Sequence, residues 1–254
     1  MMSEEKPIIT ILGPTATGKT HIAVRLAAEL DGEIVSADSR QVYRRMDIGT
    51  GKDISEYQYN GQPVPYHLVD IEDPGVKYNV YRYQQEAFKA MRDIQSRGRQ
   101  VVICGGSGLY IEAVLSGYRF KWREDDQIFS DPVPSVIFGL RGNRDLIRTR
   151  ITQRLKARLE EGMVEEVRAL LDEGVPSDIL IRYGLEYKYV TLYLLGEISY
   201  EEMFASLNTA IHQFSKRQMT WFRRMERLSF DIHWIDVALS EDDKMAEIYQ
   251  VLGK

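Results

Sequence analysis

The sequence predicts an α/β fold in which a mostly parallel sheet with flanking helices is followed by a helical C-terminal half. Short apolar runs rich in β-branched residues alternate with amphipathic helical stretches over residues 7–140. From residue 145 onward, apolar residues recur at helical spacing over long segments. Strands that alternate with helices need right-handed crossovers, so we expect them to run parallel. The 254 residues contain no Gly/Ser-rich linker, which predicts a single domain over residues 1–254.

Five strands and two helices are predicted before residue 145. Each strand is a short apolar run, and the first helix places Ile22, Leu26 and Leu30 on one face. Gly98 is typical of the residue that follows a helix C-terminus. The predicted strands cover residues 7–12, 33–36, 66–71, 101–104 and 136–140, and the predicted helices cover residues 20–30 and 80–97.

The C-terminal half is predicted to contain long helices and one short strand. The helices cover residues 145–172, 186–195 and 200–227, and the strand covers residues 233–236. Between the two halves, residues 118–134 are polar and include two prolines, which indicates a connection.

The whole-chain charge argues against a nucleic-acid partner, whereas its distribution argues for one. Lysine and arginine number 33 against 38 aspartate and glutamate, a formal net charge of −5. However, seven basic residues stand against one acid between residues 139 and 158, and five against one between residues 214 and 227. The second segment includes Trp221 and Phe222, which are suited to unstacked bases. Two basic helices favour an anionic polymer, although ordinary charged helix faces give the same pattern.

Other classes of protein are excluded by composition. The single cysteine, Cys104, excludes an intramolecular disulfide and a multi-cysteine zinc site. No stretch approaches the roughly 20 apolar residues that span a bilayer, and the N-terminal apolar run leads into a strand rather than a cleavage site. We therefore expect a cytoplasmic protein with no membrane partner.

A phosphate-binding loop follows the first predicted strand. The segment matches G-x-x-x-x-G-K-[ST] and lies between a buried strand and a helix, as the motif requires. Its backbone N–H groups and the helix N-terminus attract phosphate, Lys19 adds a full positive charge, and the Thr20 hydroxyl can bind Mg²⁺. The pattern predicts a di- or triphosphate site in a P-loop NTPase-like fold, formed by Gly13, Pro14, Thr15, Ala16, Thr17, Gly18, Lys19 and Thr20.

Two carboxylates follow predicted strands and have different implications. Asp70 could hold Mg²⁺ as in a P-loop kinase, or it could cap a turn. Asp38 lies at the sheet edge where ligands bind, so it could accept a proton from an attacking amine or hydroxyl, or cap the following turn. A second glycine-rich loop, residues 105–110, follows another strand and carries Ser107. Tight βα turns also use glycine, so this loop alone indicates little.

Together these segments resemble those of the tRNA dimethylallyltransferase family. They occur in the family's order, and the run Asp-Ser-x-x-Val-Tyr-x-x-Met-Asp-Ile-Gly-Thr is highly specific. The resemblance extends from about residue 8 to about residue 236, and its segments are residues 13–20, 36–50, 67–70, 105–110 and 216–222.

The resemblance implies transfer of a dimethylallyl group from dimethylallyl diphosphate to N6 of the adenosine on the 3′ side of the anticodon in tRNA. The phosphate loop would then bind the prenyl diphosphate and Mg²⁺ rather than ATP. Lys19 would neutralise the leaving diphosphate and Thr20 would bind the metal. Thr15 and Ser107 would contact the diphosphate or its metal. Arg182 is the nearest match to a phosphate-contacting arginine of the family.

The same resemblance implies the acceptor side of the reaction. Asp38 is matched to the base that removes the N6 proton, and the adenosine would be flipped out of the tRNA anticodon loop. Family members carry a helical tRNA-binding insertion, for which residues 118–135 form a reduced or missing counterpart. We expect a monomer. The residues expected to contact tRNA are Asp38, Ser39, Arg40, Gln41, Lys216, Arg217, Gln218, Arg223 and Arg224.

Three other functions remain open on the sequence. Adenylate dimethylallyltransferase prenylates free nucleotides and lacks much of the insertion, although residues 216–222 favour tRNA. A P-loop kinase would use Asp70 for Mg²⁺. A nucleotide-dependent RNA-binding module would not need the carboxylate of Asp38.

Overall fold

The computed structural model describes residues 6–117 and 133–254. The expected connection over residues 118–135 lies outside these ranges except at its end, where Ser135 is the first residue of a strand. The strands are β1 (Ile8–Leu12), β2 (Gly32–Ala37), β3 (Gln58–Tyr59), β4 (Gln62–Pro63), β5 (Tyr66–His67), β6 (Gln100–Gly105), β7 (Ser135–Arg141) and β8 (Ile232–Asp236).

The predicted parallel sheet is confirmed. Within the described residues, six strands pair in the order β5–β2–β6–β1–β7–β8, and every neighbouring pair is parallel. Strands β3 and β4 form a separate antiparallel hairpin. The first strand, β1, therefore lies inside the sheet, between β6 and β7. The loop that follows β1 is thus flanked by the loops that follow its neighbours.

Helices cover both faces of the sheet and form most of the C-terminal half. The predicted helix over residues 145–172 is wrong as a single element, because Gly162 adopts φ +106° and separates two helices. The helices are α1 (Lys19–Glu29), α2 (Val80–Ser96), α3 (Gly108–Leu115), α4 (Arg144–Glu160), α5 (Met163–Asp172), α6 (Ser177–Tyr183), α7 (Leu185–Leu194), α8 (Tyr200–Arg227) and α9 (Glu241–Leu252).

The core lies on both faces of the sheet, which explains why its strands read as continuous apolar runs. Along β1, Ile9 and Ile11 pack into one hydrophobic cluster, whereas Ile8 and Leu12 pack into the other. Helix α1 belongs to the first cluster, and α2, α3 and the C-terminal part of α8 belong to the second. No helix in the described part of the chain is both long and apolar enough to cross a membrane.

Candidate active site

One cavity collects the loops that follow β1, β2 and β6. Because neighbouring parallel strands end at the same edge of the sheet, these three loops meet there, and α4, α7 and α8 close the remaining sides. The residues that line the cavity are Thr15, Lys19, Thr20, Asp38, Arg40, Gln41, Thr50, Gly51, Tyr57, Cys104, Gly105, Gly106, Arg154, Arg158, Leu185, Glu186, Ile211, Phe214 and Gln218.

The phosphate loop has the strand–loop–helix geometry that its motif requires. A side chain at Gly13 would place its Cβ 2.7 Å from the carbonyl oxygen of Leu140, so only glycine fits there. The Thr17 hydroxyl and the Lys19 ammonium both donate to the carbonyl of Pro14, each at 2.8 Å. These two bonds hold the loop and direct Lys19 across it.

Lys19 carries a charge that the described residues only partly compensate. Burial lowers the pKa of its ammonium to about 8, an effect that nearby Cys104 and Asp38 oppose and nearby Arg154 increases. A bound phosphate would supply the negative charge that this site lacks. The loop is therefore built to receive an anion.

Asp38 lies directly after β2 and faces the same cavity. Its Oδ1 accepts the backbone N–H of Arg40 at 2.9 Å, so the carboxylate caps the turn as one interpretation of the sequence required. Its Oδ2 forms no hydrogen bond with any described residue. One carboxylate oxygen therefore fixes the turn while the other remains available to accept a proton.

The second glycine-rich loop is tied to the turn that holds Asp38. The backbone N–H of Ser39 donates to Ser107 Oγ at 3.0 Å, and the N–H of Ser107 donates to the carbonyl of Ala37 at 3.1 Å. Ser107 also begins α3 as its N-cap residue. The structure thus brings Ser107 close to Asp38.

Gln218 joins the two glycine-containing loops. Its Oε1 accepts the backbone N–H of Thr15 at 2.9 Å, and its Nε2 donates to the carbonyl of Gly106 at 3.0 Å. The side chain is buried, so both amide atoms are used inside the protein. Although we predicted a tRNA contact from sequence, the structure places Gln218 as a spacer between the loops.

Arg40 also has a partner inside the protein. Its Nη1 donates to the buried carboxylate of Glu186 at 2.6 Å, and its guanidinium lies 5.6 Å from the ring centre of Phe214. Arg217 approaches the same ring at 5.9 Å. Phe214 therefore lies between one arginine at the cavity and one on the exposed side of α8.

Two arginines of α4 reach the cavity. Arg154 donates to the Thr15 hydroxyl in the phosphate loop, and Arg158 lies one helical turn further along. Burial and the neighbouring Arg158 lower the pKa of Arg154 to about 10. From sequence, this segment was predicted only as a basic helix. The local signal for Arg158 was that it continues the apolar stripe of α4.

Two residues predicted to contact phosphate or metal lie elsewhere. Arg182 is an exposed residue of α6 that pairs with Asp178 at 2.6 Å and does not line the cavity. Asp70 follows the edge strand β5 and binds the fully buried ammonium of Lys52. Strands β2 and β6 separate β5 from β1, so Asp70 is not beside the phosphate loop. The kinase hypothesis thereby loses its metal-binding carboxylate.

The Met-Asp-Ile-Gly-Thr segment is held in place by α5 and α7. Glu166 accepts the backbone N–H groups of Asp47, Ile48 and Gly49 at 2.8, 2.6 and 3.1 Å, and it also accepts the Tyr187 hydroxyl at 2.7 Å. The segment ends at Thr50, which lines the cavity together with the following residue, Gly51. Its distinctive sequence thus positions one wall of the site.

The basic residues of α8 differ in their exposure and in their bonds to the rest of the protein. Lys216, Arg217 and Arg223 are exposed, as a surface for RNA requires. Arg224 instead donates to the buried Glu112 of α3 at 2.5 Å, which Trp221 Nε1 also contacts at 2.8 Å. Arg224 therefore fastens α8 to α3 while remaining partly exposed.

A phosphate loop and a carboxylate that share one cavity at the end of a parallel sheet define a P-loop protein that acts on a phosphorylated substrate. The chain belongs to the IPP transferase family, whose model matches residues 41–130 and 121–225.

Similar proteins support this placement. The chain is 45% identical to tRNA dimethylallyltransferase 1 of Parabacteroides distasonis over 97% of both chains, and 46% identical to tRNA dimethylallyltransferase 2 of Bacteroides fragilis over 99% of both. Among solved structures, the full-length tRNA isopentenylpyrophosphate transferase of Bacillus halodurans is similar with a TM-score of 0.87. It is 30% identical, and the match covers 98% of this chain and 96% of that one.

Proposed function

We propose that the protein transfers a dimethylallyl group from dimethylallyl diphosphate to N6 of the adenosine on the 3′ side of the anticodon in tRNA and releases diphosphate. The family and its similar proteins, named tRNA dimethylallyltransferases, support this reaction. The observation that carries it is the position of Asp38 on the cavity that also holds the phosphate loop. Transfer from a diphosphate donor to a nucleophile that must lose a proton requires a phosphate site and a base in one cavity.

On the donor side, the residues favour departure of diphosphate. An allylic carbon–oxygen bond breaks readily when the negative charge on the leaving group is neutralised. Lys19 and Arg154, the loop amides and the Thr15 hydroxyl lie where that charge develops. Ser107 adds a hydroxyl beside Asp38.

The cavity suits Mg²⁺ bound through the substrate. The described residues contain no group of three or more His, Cys, Asp and Glu side chains that could hold a metal alone. The Thr20 hydroxyl lines the cavity, and within the described ranges it forms no hydrogen bond to the protein. Mg²⁺ prefers such oxygen ligands together with substrate phosphates and water, and when bound it would neutralise diphosphate charge.

On the acceptor side, Asp38 acts as the general base. The exocyclic N6 is a poor nucleophile because its lone pair is delocalised into the adenine ring. Removal of its proton by the free carboxylate oxygen, as the carbon–nitrogen bond forms, keeps the nitrogen neutral in the product. Ser39 and Gln41 border the same turn and would contact the flipped base.

The tRNA would lie along the exposed basic face of α8, with its anticodon loop directed into the cavity. Lys216, Arg217 and Arg223 would contact its phosphates, whereas Arg224 contributes through its exposed part. We also propose that the protein acts as a cytoplasmic monomer and that residues 118–135 replace a larger tRNA-binding insertion.

The decisive experiment supplies the protein with Mg²⁺, labelled dimethylallyl diphosphate and either tRNA or AMP. Nucleoside mass spectrometry should find the prenyl group on an adenosine of the tRNA. Prenylation of AMP alone would instead establish a free-nucleotide transferase. Consumption of ATP without prenyl transfer would restore the kinase hypothesis.

A further inference from the structure

Arg158 occupies a position that its helix otherwise gives to apolar residues. The buried residues of α4 are Ile147, Ile151, Leu155 and Arg158, which lie at successive helical turns on one face. Arg158 is only 6% exposed. A guanidinium at the end of an apolar stripe is unfavourable for packing, because a buried charge needs a partner.

The described residues do not supply a strong partner for this charge. Within the described ranges, the carboxylate that pairs with Arg158 is that of Asp53, whose Oδ2 lies 3.8 Å from Arg158 Nη2 and whose side chain is about half exposed. Such a distance is too long for a hydrogen bond, and solvent weakens the attraction. Among the described residues, no hydrogen bond from Arg158 satisfies its five donors.

The opposite wall of the site makes room for Arg158. A Cβ atom at Gly51 would lie 1.7 Å from Arg158 Nη2, so any larger residue would displace the guanidinium. Gly51 also has φ +64°, a backbone conformation that favours glycine, and its carbonyl accepts Gln41 Nε2 at 3.0 Å. The loop and the helix thus form a fitted seat for one side chain.

The residues of this seat line the same cavity as the phosphate loop. Arg154 and Arg158 line the cavity with Lys19, and Arg154 already contacts the loop through the Thr15 hydroxyl. The carboxylates that line it are Asp38 and Glu186, and Glu186 is paired with Arg40. The described lining therefore carries more basic than acidic side chains.

We propose that Arg158, together with Arg154, binds the terminal phosphate of the prenyl diphosphate from helix α4, in addition to the ligands of the phosphate loop. This inference rests on the proposed function, because it assigns a second set of ligands to the same substrate. A diphosphate has two phosphate groups, and guanidinium groups bind phosphate oxygens through paired N–H donors. Arg158 would hold the leaving group after the carbon–oxygen bond breaks.

The test measures binding of inorganic pyrophosphate with Mg²⁺ by calorimetry to the full chain and its variants. Arg158→Met keeps the side-chain length without the charge and should weaken binding roughly 10- to 100-fold. Lys156→Met, an exposed position on the same helix, is the matched control and should change affinity less than twofold. Gly51→Ala should also weaken binding, although every charged group of the cavity is retained.

The outcomes separate this inference from the proposed function. Binding of pyrophosphate within twofold of the original protein, in folded Arg158→Met and Gly51→Ala variants, would overturn the inference. The inference would also be overturned if Arg158→Met lost binding of anticodon stem-loop RNA but bound pyrophosphate as before, since Arg158 would then hold an RNA phosphate. If the original protein bound no pyrophosphate, the proposed function itself would fail. If Arg158→Met did not fold, pyrophosphate binding by Gly51→Ala and Arg158→Lys would be measured in its place. Affinities within twofold of the original protein would again overturn the inference.

Discussion

A carboxylate lies near each end of strand β2, and the two differ in how fully their cationic surroundings are paired. At its start, Glu33 is buried and accepts hydrogen bonds from Arg97, Arg99 and His67. These partners, Arg97 above all, hold the pKa of Glu33 at about 2 despite its burial. Just beyond the other end, Asp38 faces a cavity whose cations exceed its carboxylates. The first network pairs its charges within the protein, whereas the described lining of the cavity leaves basic side chains in excess.

The largest effect should come from Asp38. Asp38→Asn keeps the hydrogen bond to Arg40 but removes the base, so the single-turnover rate of prenyl transfer should fall about 10²- to 10⁴-fold. Pyrophosphate affinity should be retained, because the substitution removes a negative charge. Asp70→Asn is the matched control at the end of another strand and should transfer at nearly the original rate. An unchanged rate in Asp38→Asn would show that another group takes the proton.

The next effect concerns the charge on Lys19. Because burial places its pKa near 8, the free protein loses this charge as the pH rises through about 8, and binding of diphosphate must then restore the proton. Pyrophosphate affinity should therefore fall above about pH 8, by up to tenfold per pH unit, as followed by calorimetry in buffers of different ionisation enthalpy. Lys19→Met should bind weakly and take up no such proton. A protein with proton-independent binding would contradict this role.

A smaller effect, on stability alone, is expected at the network around Glu33. Glu33→Gln should lower the free energy of unfolding at pH 7 by about 2 kcal/mol, because Arg97 and Arg99 lose a buried anionic partner. Since the pKa of Glu33 lies below its ordinary value, its contribution is present above about pH 4.5 and is lost as the pH falls toward about 2. Denaturant titrations at several pH values measure this difference. The transfer rate should not change.

Asp93→Asn is the control for that measurement. Asp93 is an exposed partner of the same Arg97, so its loss should change stability by less than about 0.5 kcal/mol. If Glu33→Gln and Asp93→Asn lowered the free energy of unfolding equally, the buried network at the start of β2 would have no special role in stability.

The smallest effect is expected on the exposed face of α8. Arg223→Gln should weaken anticodon stem-loop binding slightly and reduce the slope of log affinity against log salt by about 1. Lys89→Gln, on the exposed side of α2, should leave the slope unchanged. A filter-binding series at several salt concentrations provides the measurement. Equal slopes for Arg223→Gln and the original protein would show that this face does not meet phosphate.

Features set by local sequence were predictable, whereas those set by distant contacts were not. The phosphate loop and the parallel sheet follow from short apolar runs and a single glycine-rich motif. The strand predicted over residues 66–71 ends after His67, because Leu68 and Asp70 adopt positive φ angles of +63° and +55°. Helices α6 and α9 were not predicted, because each is short or flanked by a weak pattern.

The site shows the same division. Asp38 and Lys19 lie close to their own motifs, so their place at one cavity could be inferred from the order of strands. Gln218 and Arg158 reach the cavity from helices far along the chain. Each lies on the buried stripe of its helix, which indicates an inward side chain but not what that side chain contacts. Arg182 was assigned by resemblance to a family pattern that its segment matches only in part, and the structure shows it exposed, paired with Asp178 and outside the lining of the cavity.

The bond between Thr15 and Gln218 has a consequence for the growth of the chain on the ribosome. Its partners are 203 positions apart, so the phosphate loop emerges long before the glutamine that spaces it. Contacts of such separation form late, because a long stretch of chain must be ordered first. A nascent chain therefore displays its most recognisable motif early, but the phosphate loop gains its bond to Gln218 only when α8 has docked.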